Sequence, residues 1–201
     1  MFSVRIHGRG GQGAVTAAEL LSVAAFAEDR HAQAFPTFGS ERTGAPVVSF
    51  CRLDDRPIRL HEPVTRPDAL IVQDPTLLHQ VDLFAGLDDR GYLLVNTSHS
   101  LEELGLGDLV ARLSPVHVAA VPATEIAREH LGRPLPNAAL LGAFAGLTGQ
   151  VTLASVADAI RGRFPGEVGA GNVRAAWVAH DRVLEHLAAV LAHRDGSRAD
   201  A

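Results

Sequence analysis

Gly8-Arg9-Gly10-Gly11-Gln12-Gly13 is the stretch on which the fold turns. It follows the alternating segment Phe2-Ser3-Val4-Arg5-Ile6-His7 and opens a run, Ala14 to Ala27, that reads as a helix. A strand, a glycine-rich turn and a helix N-terminus make the usual holder of a phosphate. Glycines let the backbone approach the ligand, and the first free N–H groups of the helix point at the anion. The spacing of Gly8, Gly10 and Gly13 satisfies G-x-G-x-x-G.

Three readings of the turn stay open. A nicotinamide or flavin site needs an acidic residue at the end of the second strand to hold the ribose. The predicted second strand, Ala32 to Phe35, ends in Phe35-Pro36-Thr37, and Glu28 and Asp29 fall before it. Pure packing would use the glycines only to bring strand and helix together. An anion site without dinucleotide chemistry would use Arg9, whose guanidinium suits an anionic ligand or a partner's carboxylate.

Composition narrows the function classes. An apolar fraction of 47% and a charged fraction of 20% describe a globular chain, expected to form one domain over residues 1–192 with a frayed polar tail at 193–201. A net charge of -5 excludes a nucleic-acid binder built on a basic face. All 18 basic residues are arginine, which excludes a lysine Schiff base and a P-loop lysine. Cys51 is the only cysteine, so the chain can carry neither a disulfide framework nor an iron–sulfur cluster by itself. With no apolar run near 20 residues and no leader pattern, the expectation is a soluble cytoplasmic protein with no membrane contact.

Along the chain, short β-like runs alternate with helical ones. Pro46–Leu53 and Ile58–Leu60 flank the turn Asp54-Asp55-Arg56-Pro57 and predict a hairpin. Ala69–Asp74, Tyr92–Thr97 and Val116–Val121 read as strands buried on both faces. Helices are predicted at 76–84, 101–113, 124–131, 137–148, 152–163 and 172–192, with Asn137 as an N-cap and Ser98-His99-Ser100 capping the helix near Leu101. The predicted fold is α/β and Rossmann-like, a mainly parallel sheet flanked by helices, with a helical C-terminal third.

A second motif decides between the readings: Phe35-Pro36-Thr37-Phe38-Gly39-Ser40-Glu41-Arg42-Thr43-Gly44-Ala45-Pro46. Two aromatics flank a proline, and two glycines bracket an acid–base pair, which suits an interface or a ligand edge. Together with the first motif it resembles the gamma subunit of 2-oxoacid:ferredoxin oxidoreductases, and specifically the pyruvate branch. The segments Pro67-Asp68-Ala69, Val95-Asn96-Thr97, Ala123-Thr124-Glu125-Ile126-Ala127 and Pro136–Ala143 share the likeness, which spans residues 2–190.

The resemblance implies a subunit, inactive alone, of an enzyme that decarboxylates a 2-oxoacid oxidatively, transfers the acyl group to coenzyme A and passes electrons to ferredoxin. Thiamine diphosphate, magnesium and the iron–sulfur clusters are expected in partners: alpha, beta and ferredoxin-like delta subunits, or a fusion of them. Coenzyme A enters as co-substrate. Gly8, Gly10, Gly11 and Gly13 would shape the anion-accepting turn, with Arg9 and Gln12 as its polar edge. Phe38, Glu41, Arg42 and Gly44 would form a loop against a partner or beside the acyl-acceptor path, Arg42 being the most consequential side chain. No residue is assigned a catalytic or metal-binding role.

The rival reading is a stand-alone Rossmann-type NAD(P) oxidoreductase. Other features read as structural: Cys51 as a core residue, and His180, His186 and His193 with Asp181 and Glu185 as a solvated helix face. His7 reads as a strand-end histidine beside the turn. In the last helix Val173, Trp177, Leu184, Leu187 and Leu191 form an apolar stripe that packs on the domain, part of it available to a subunit interface.

Overall fold

The computed structural model describes residues 1–36 and 43–199. Six strands form one sheet in the order β2-β3-β1-β4-β5-β6. They are β1 (Phe2–Arg9), β2 (His31–Pro36), β3 (Pro46–Asp54), β4 (Ala69–Val72), β5 (Tyr92–Asn96) and β6 (Val118–Val121). β1, β4, β5 and β6 run parallel, and β3 and β2 are added antiparallel to one edge. The helices are α1 (Ala14–Phe26), α2 (Gly107–Arg112), α3 (Ala123–Leu131), α4 (Asn137–Thr148), α5 (Leu153–Arg163) and α6 (Gly166–Ala199). The α/β fold, mostly parallel, with a helical C-terminal third, is the one expected.

The apolar pattern explains the layering. Ala69-Leu70-Ile71-Val72 is buried throughout, so β4 must be covered on both faces. On one face Val4, Ile6, Cys51, Leu53, Ile71 and Leu94 join the cluster filled by α1, α4, α5 and α6. On the other, Leu70, Val72, Leu93 and Val95 meet only a 3-10 turn at Pro75–His79, the short α2 and their loops. Each fully buried Leu or Ile contributes about 1.5–3 kcal/mol, so the thick helical layer carries most of the stability. Among the described residues no helix is long and apolar enough to cross a membrane.

The predicted 46–60 hairpin does not form. Both edges of β3 are taken, by β1 and by β2, so no edge remains for Ile58–Leu60. Residues 55–66 instead offer main-chain carbonyls to two buried arginines, Arg5 and Arg52. Arg52 donates to the Leu60 and Glu62 carbonyls at 3.4 and 2.5 Å, and Arg5 to Val64, Leu83 and Ala85 carbonyls at 3.4, 2.8 and 2.7 Å.

Two predicted helices are shorter than expected. That at 76–84 reduces to the 3-10 turn. At 101–113, Ser100 and Glu103 form a reciprocal capping box, but Gly105 adopts φ +74° and the helix proper begins only at Gly107. The last helix is longer, starting at Gly166 rather than Asn172 and continuing to Ala199. Its early glycines are close-approach points: a Cβ at Gly171 would lie 2.6 Å from the His130 carbonyl oxygen of α3. Of the stripe on α6, Val173 packs inward, whereas Trp177, Leu184 and Leu191 are 48%, 45% and 50% exposed.

Candidate functional site

β1 runs two residues further than its sequence suggested, so Gly8 and Arg9 are strand residues and the turn proper is Gly10–Gly13. Gly8 is buried, and a Cβ there would lie 2.5 Å from Gln73 Oε1. Its lack of a side chain serves packing between β1 and the end of β4. Gly11 and Gly13 take φ +94° and +78°, the left-handed region that favours glycine. Gly13 is the N-cap of α1 without a side-chain cap, and its carbonyl accepts the Ala17 N–H at 2.8 Å. The N–H groups of Ala14, Val15 and Thr16 precede that first intrahelical bond. Those residues, with Arg9, Gly10 and Gly11, line a cleft of about 420 Å³.

The second motif returns to the same place. The Gly10 N–H donates to the Ala45 carbonyl at 2.9 Å, and the Gly44 N–H to the Gly10 carbonyl at 3.0 Å. Gly44, at φ +83°, is therefore zipped to the turn, and Thr43 lines the cleft. Phe38, Glu41 and Arg42 lie outside the described residues.

Arg9 is more committed than a free cationic edge. Its Nε donates to Asp74 Oδ2 (3.1 Å) and Thr76 Oγ1 (3.3 Å), Nη2 to Thr76 Oγ1 (2.7 Å), and Nη1 to the Gly44 carbonyl (3.0 Å). Gln12 also folds back: its Nε2 donates to Asp74 Oδ2 at 2.7 Å, and its Oε1 accepts the Arg9 N–H at 2.8 Å. Asp74 Oδ1 accepts the Thr76 N–H and hydroxyl at 3.0 and 2.5 Å. Partial burial pushes the Asp74 carboxyl up, yet hydrogen bonds from Thr76 and Gln12 and the Arg9 charge outweigh it and leave its pKa below the ordinary value. The carboxylate stays ionised and largely neutralises Arg9.

Beneath the turn lies a layer of amides. Asn137 is the first residue of α4 and makes no capping bond; Pro136 holds the cap position. The N-cap expectation fails because the amide is turned to the turn's underside, where a Cβ on Gly13 would meet Asn137 Nδ2 at 2.6 Å. Asn96, at the end of β5, donates to the Gln73 carbonyl (2.7 Å) and to Thr124 Oγ1 (2.8 Å), and accepts the Thr124 N–H (3.1 Å). It thereby ties β4, β5 and α3 together behind the site.

His7 is 6% exposed, and burial and the Arg5 charge lower its pKa to about 4, so its ring is neutral. Burial in β3 pushes the Cys51 thiol well up, as a core residue requires. His180 contacts Asp181 and His186 contacts the Val118 carbonyl. The residues missed in the sequence are Gln73, Asp74 and Thr76; Asp74-Pro75-Thr76, at the end of the strand parallel to β1, carried the signal of an Asx turn beside the ligand edge.

The sequence pattern of pyruvate ferredoxin/flavodoxin oxidoreductases matches residues 3–181 of this chain. The chain belongs to that family. It is similar to the common subunit gamma of pyruvate/ketoisovalerate oxidoreductases of Pyrococcus furiosus, 50% identical over 182 residues that cover 90% of this chain and 97% of the relative. The pyruvate synthase subunit PorC of Methanothermobacter marburgensis is 45% identical over 183 residues, 91% of this chain and 98% of the relative. Among solved structures, the pyruvate oxidoreductase subunit PORC of Thermotoga maritima superposes with a TM-score of 0.76 at 37% identity, covering 90% of this chain and 95% of that one.

The chain is thus a gamma-type oxidoreductase subunit of this family. Its residues do not fit the family's inorganic cofactors: Cys51 is its sole cysteine and is buried, and among the described residues no cluster of His, Cys, Asp and Glu could hold a metal. The stand-alone NAD(P) reading finds no support. The strand after α1 lies at the sheet edge, antiparallel to β3 and separated from β1 by it, and among the described residues its end carries no carboxylate for a ribose.

Proposed function

We propose that this chain serves a cytoplasmic, thiamine-diphosphate- and iron–sulfur-dependent 2-oxoacid:ferredoxin oxidoreductase, acting on pyruvate, as its gamma subunit. Alpha, beta and delta subunits, or a fused equivalent, hold the cofactors and carry electrons to ferredoxin. The gamma chain supports assembly and takes the phosphate end of coenzyme A at Gly10–Gly13. One observation carries the site: the start of α1, the Arg9 side chain and a mostly main-chain turn open on a single cleft of about 420 Å³. Main-chain donors at a helix N-terminus favour an anion without forming covalent bonds to it, which suits a subunit that holds the acyl acceptor rather than the reacting cofactor. In this reading Phe38, Glu41 and Arg42, which precede Gly44 in the chain, belong to a loop against the partner or beside the acyl-acceptor path.

Gly11→Ala tests this. Around a Cβ at Gly11 the nearest atom is Thr43 Cγ2 at 4.0 Å, so the change adds a methyl to the cleft lining and costs only the left-handed strain, about 1–2 kcal/mol. In the assembled complex, pyruvate-dependent ferredoxin reduction at varied coenzyme A should show KM for coenzyme A raised roughly tenfold, about 1.4 kcal/mol, with KM for pyruvate unmoved. An intact complex with unchanged KM for coenzyme A would remove the turn from the acceptor site.

A further inference from the structure

Asp74 accepts hydrogen bonds from three residues of the site at once. Arg9 Nε and Gln12 Nε2 share Oδ2, and the Thr76 N–H and hydroxyl share Oδ1. Its side chain is 13% exposed and that of Arg9 20%, so the pair is partly withdrawn from water, where it is stronger than a surface ion pair. Gln12 passes the constraint into the turn, because its Oε1 holds the Arg9 N–H. Thr76 extends it to the far side of the guanidinium, and Arg9 Nη1 reaches the Gly44 carbonyl at the returning strand.

The arrangement leaves Arg9 part of its donor capacity. A guanidinium has five N–H groups. Among the described residues, the contacts use Nε–H and one N–H on each terminal nitrogen. One N–H on Nη1 and one on Nη2 remain, on a group that lines the cleft. A guanidinium held through all three of its nitrogens, with two N–H groups left over, is oriented for an oxyanion before the ligand arrives, which reduces the side-chain ordering that binding would otherwise have to supply.

We propose that Asp74 is a positioning residue of the cleft: by anchoring Arg9 and Gln12 it aims the open N–H groups of Arg9 at a phosphoryl group of the acyl acceptor. This rests on the reading of the cleft as a phosphate site, and it differs from a role in which the carboxylate only cancels charge. Cancelling charge predicts that its removal frees Arg9 and tightens anion binding. Positioning predicts the reverse.

The test uses the assembled oxidoreductase with Asp74→Asn, Arg9→Gln and the double variant, coenzyme A being the varied substrate. The Asn amide keeps the size of the side chain but lacks the charge and the second acceptor oxygen. Asp74→Asn should raise KM for coenzyme A by about tenfold, the loss of one charge-assisted hydrogen bond. The effect should fall on KM rather than kcat, leave KM for pyruvate unchanged and add little to Arg9→Gln, since both changes remove the same interaction. Should Asp74→Asn fail to assemble, Thr76→Val replaces it: Thr76 is exposed, and its hydroxyl joins Arg9 to Asp74, so a roughly threefold rise is expected. A KM for coenzyme A that falls, or that stays within twofold of the parent, overturns the proposal. If Gly11→Ala raises KM and Asp74→Asn does not, the cleft stands and only the role of Asp74 falls. If neither variant moves it, the phosphate reading falls and takes this inference with it.

Discussion

The join between the glycine turn and α4 can be broken and repaired in a calculable way. Gly13 adopts φ +78°, and Gly13→Ala forces a side chain into the left-handed region at about 1–2 kcal/mol. The new Cβ would also lie 2.6 Å from Asn137 Nδ2 and 3.0 Å from its Cγ. Ordinary contact begins near 3.4 Å. The amide must therefore retreat by several tenths of an ångström within a buried setting, an overpacking cost of about 1–3 kcal/mol. The expected loss is about 3 kcal/mol, or roughly 10 °C in Tm for a domain of this size. Asn137→Ala removes Nδ2 and Cγ but keeps Cβ, which stands at a tolerable 3.4 Å. In the double variant only the dihedral strain should remain, giving a coupling of about 1–3 kcal/mol. Urea unfolding of the purified chain and its three variants measures the cycle. Additive losses, within about 0.5 kcal/mol, would refute the contact and with it the idea that α4 braces the turn.

Two further outcomes test the interior on either side of the sheet. His7, with its pKa lowered to about 4 from 6.5, is neutral in the folded state and gains a proton on unfolding at mildly acidic pH. The unfolded chain then binds more protons, so stability is complete above pH 6.5 and falls as pH drops through that window to 4, by at most about 3 kcal/mol. His7→Gln should flatten the dependence between pH 6.5 and 4 in urea unfolding; an unchanged slope would assign the acid lability elsewhere. In the helical layer, a Cβ on Gly142 of α4 would fall on the backbone carbonyl of Ala176 in α6, whereas a Cβ on Gly162 of α5 meets open space. Gly142→Ala should thus cost about 3 kcal/mol or more, and Gly162→Ala should gain about 0.5–1 kcal/mol by helix propensity and a stiffer unfolded chain. Thermal unfolding reads both, and equal effects would contradict the α4–α6 packing.

The fold was legible where one local signal agreed with one tertiary role. The apolar runs at Ala69 and Tyr92 became interior parallel strands because burial on both faces suits them, and the run at Val118 closed the parallel edge of the sheet. Where the outcome depended on a competitor for the same edge, local reading failed. Ile58–Leu60 has strand-like residues, but β2, distant in sequence by more than a loop, occupies the edge of β3 they needed. Glycine misled at both ends of its range. Gly105 ended a helix that the apolar pattern would have continued, and the glycines at 169 and 171 were absorbed into α6 because Phe164 and α3 approach too closely for side chains.

The site followed the same division. That Gly10–Gly13 forms a turn opening α1 was readable from spacing, since the local geometry needs only its own residues. Which glycines face a ligand was not, because the sequence shows no neighbours: Gly8 is blocked by Gln73, a residue 65 positions away. The partners of Arg9 were not legible for that reason either. A lone arginine in a glycine turn promises an electropositive pocket, but the end of β4 lies parallel to the end of β1 and sets Asp74 and Thr76 against it. The turn is consequently close to neutral as a pair. Under the phosphate reading proposed above, selectivity for anions would come from directed N–H groups, those of α1 and the two left on Arg9, and not from net charge. Directed donors lose little to salt compared with exposed charges. Binding at this cleft should therefore weaken far less with ionic strength than a free arginine would allow.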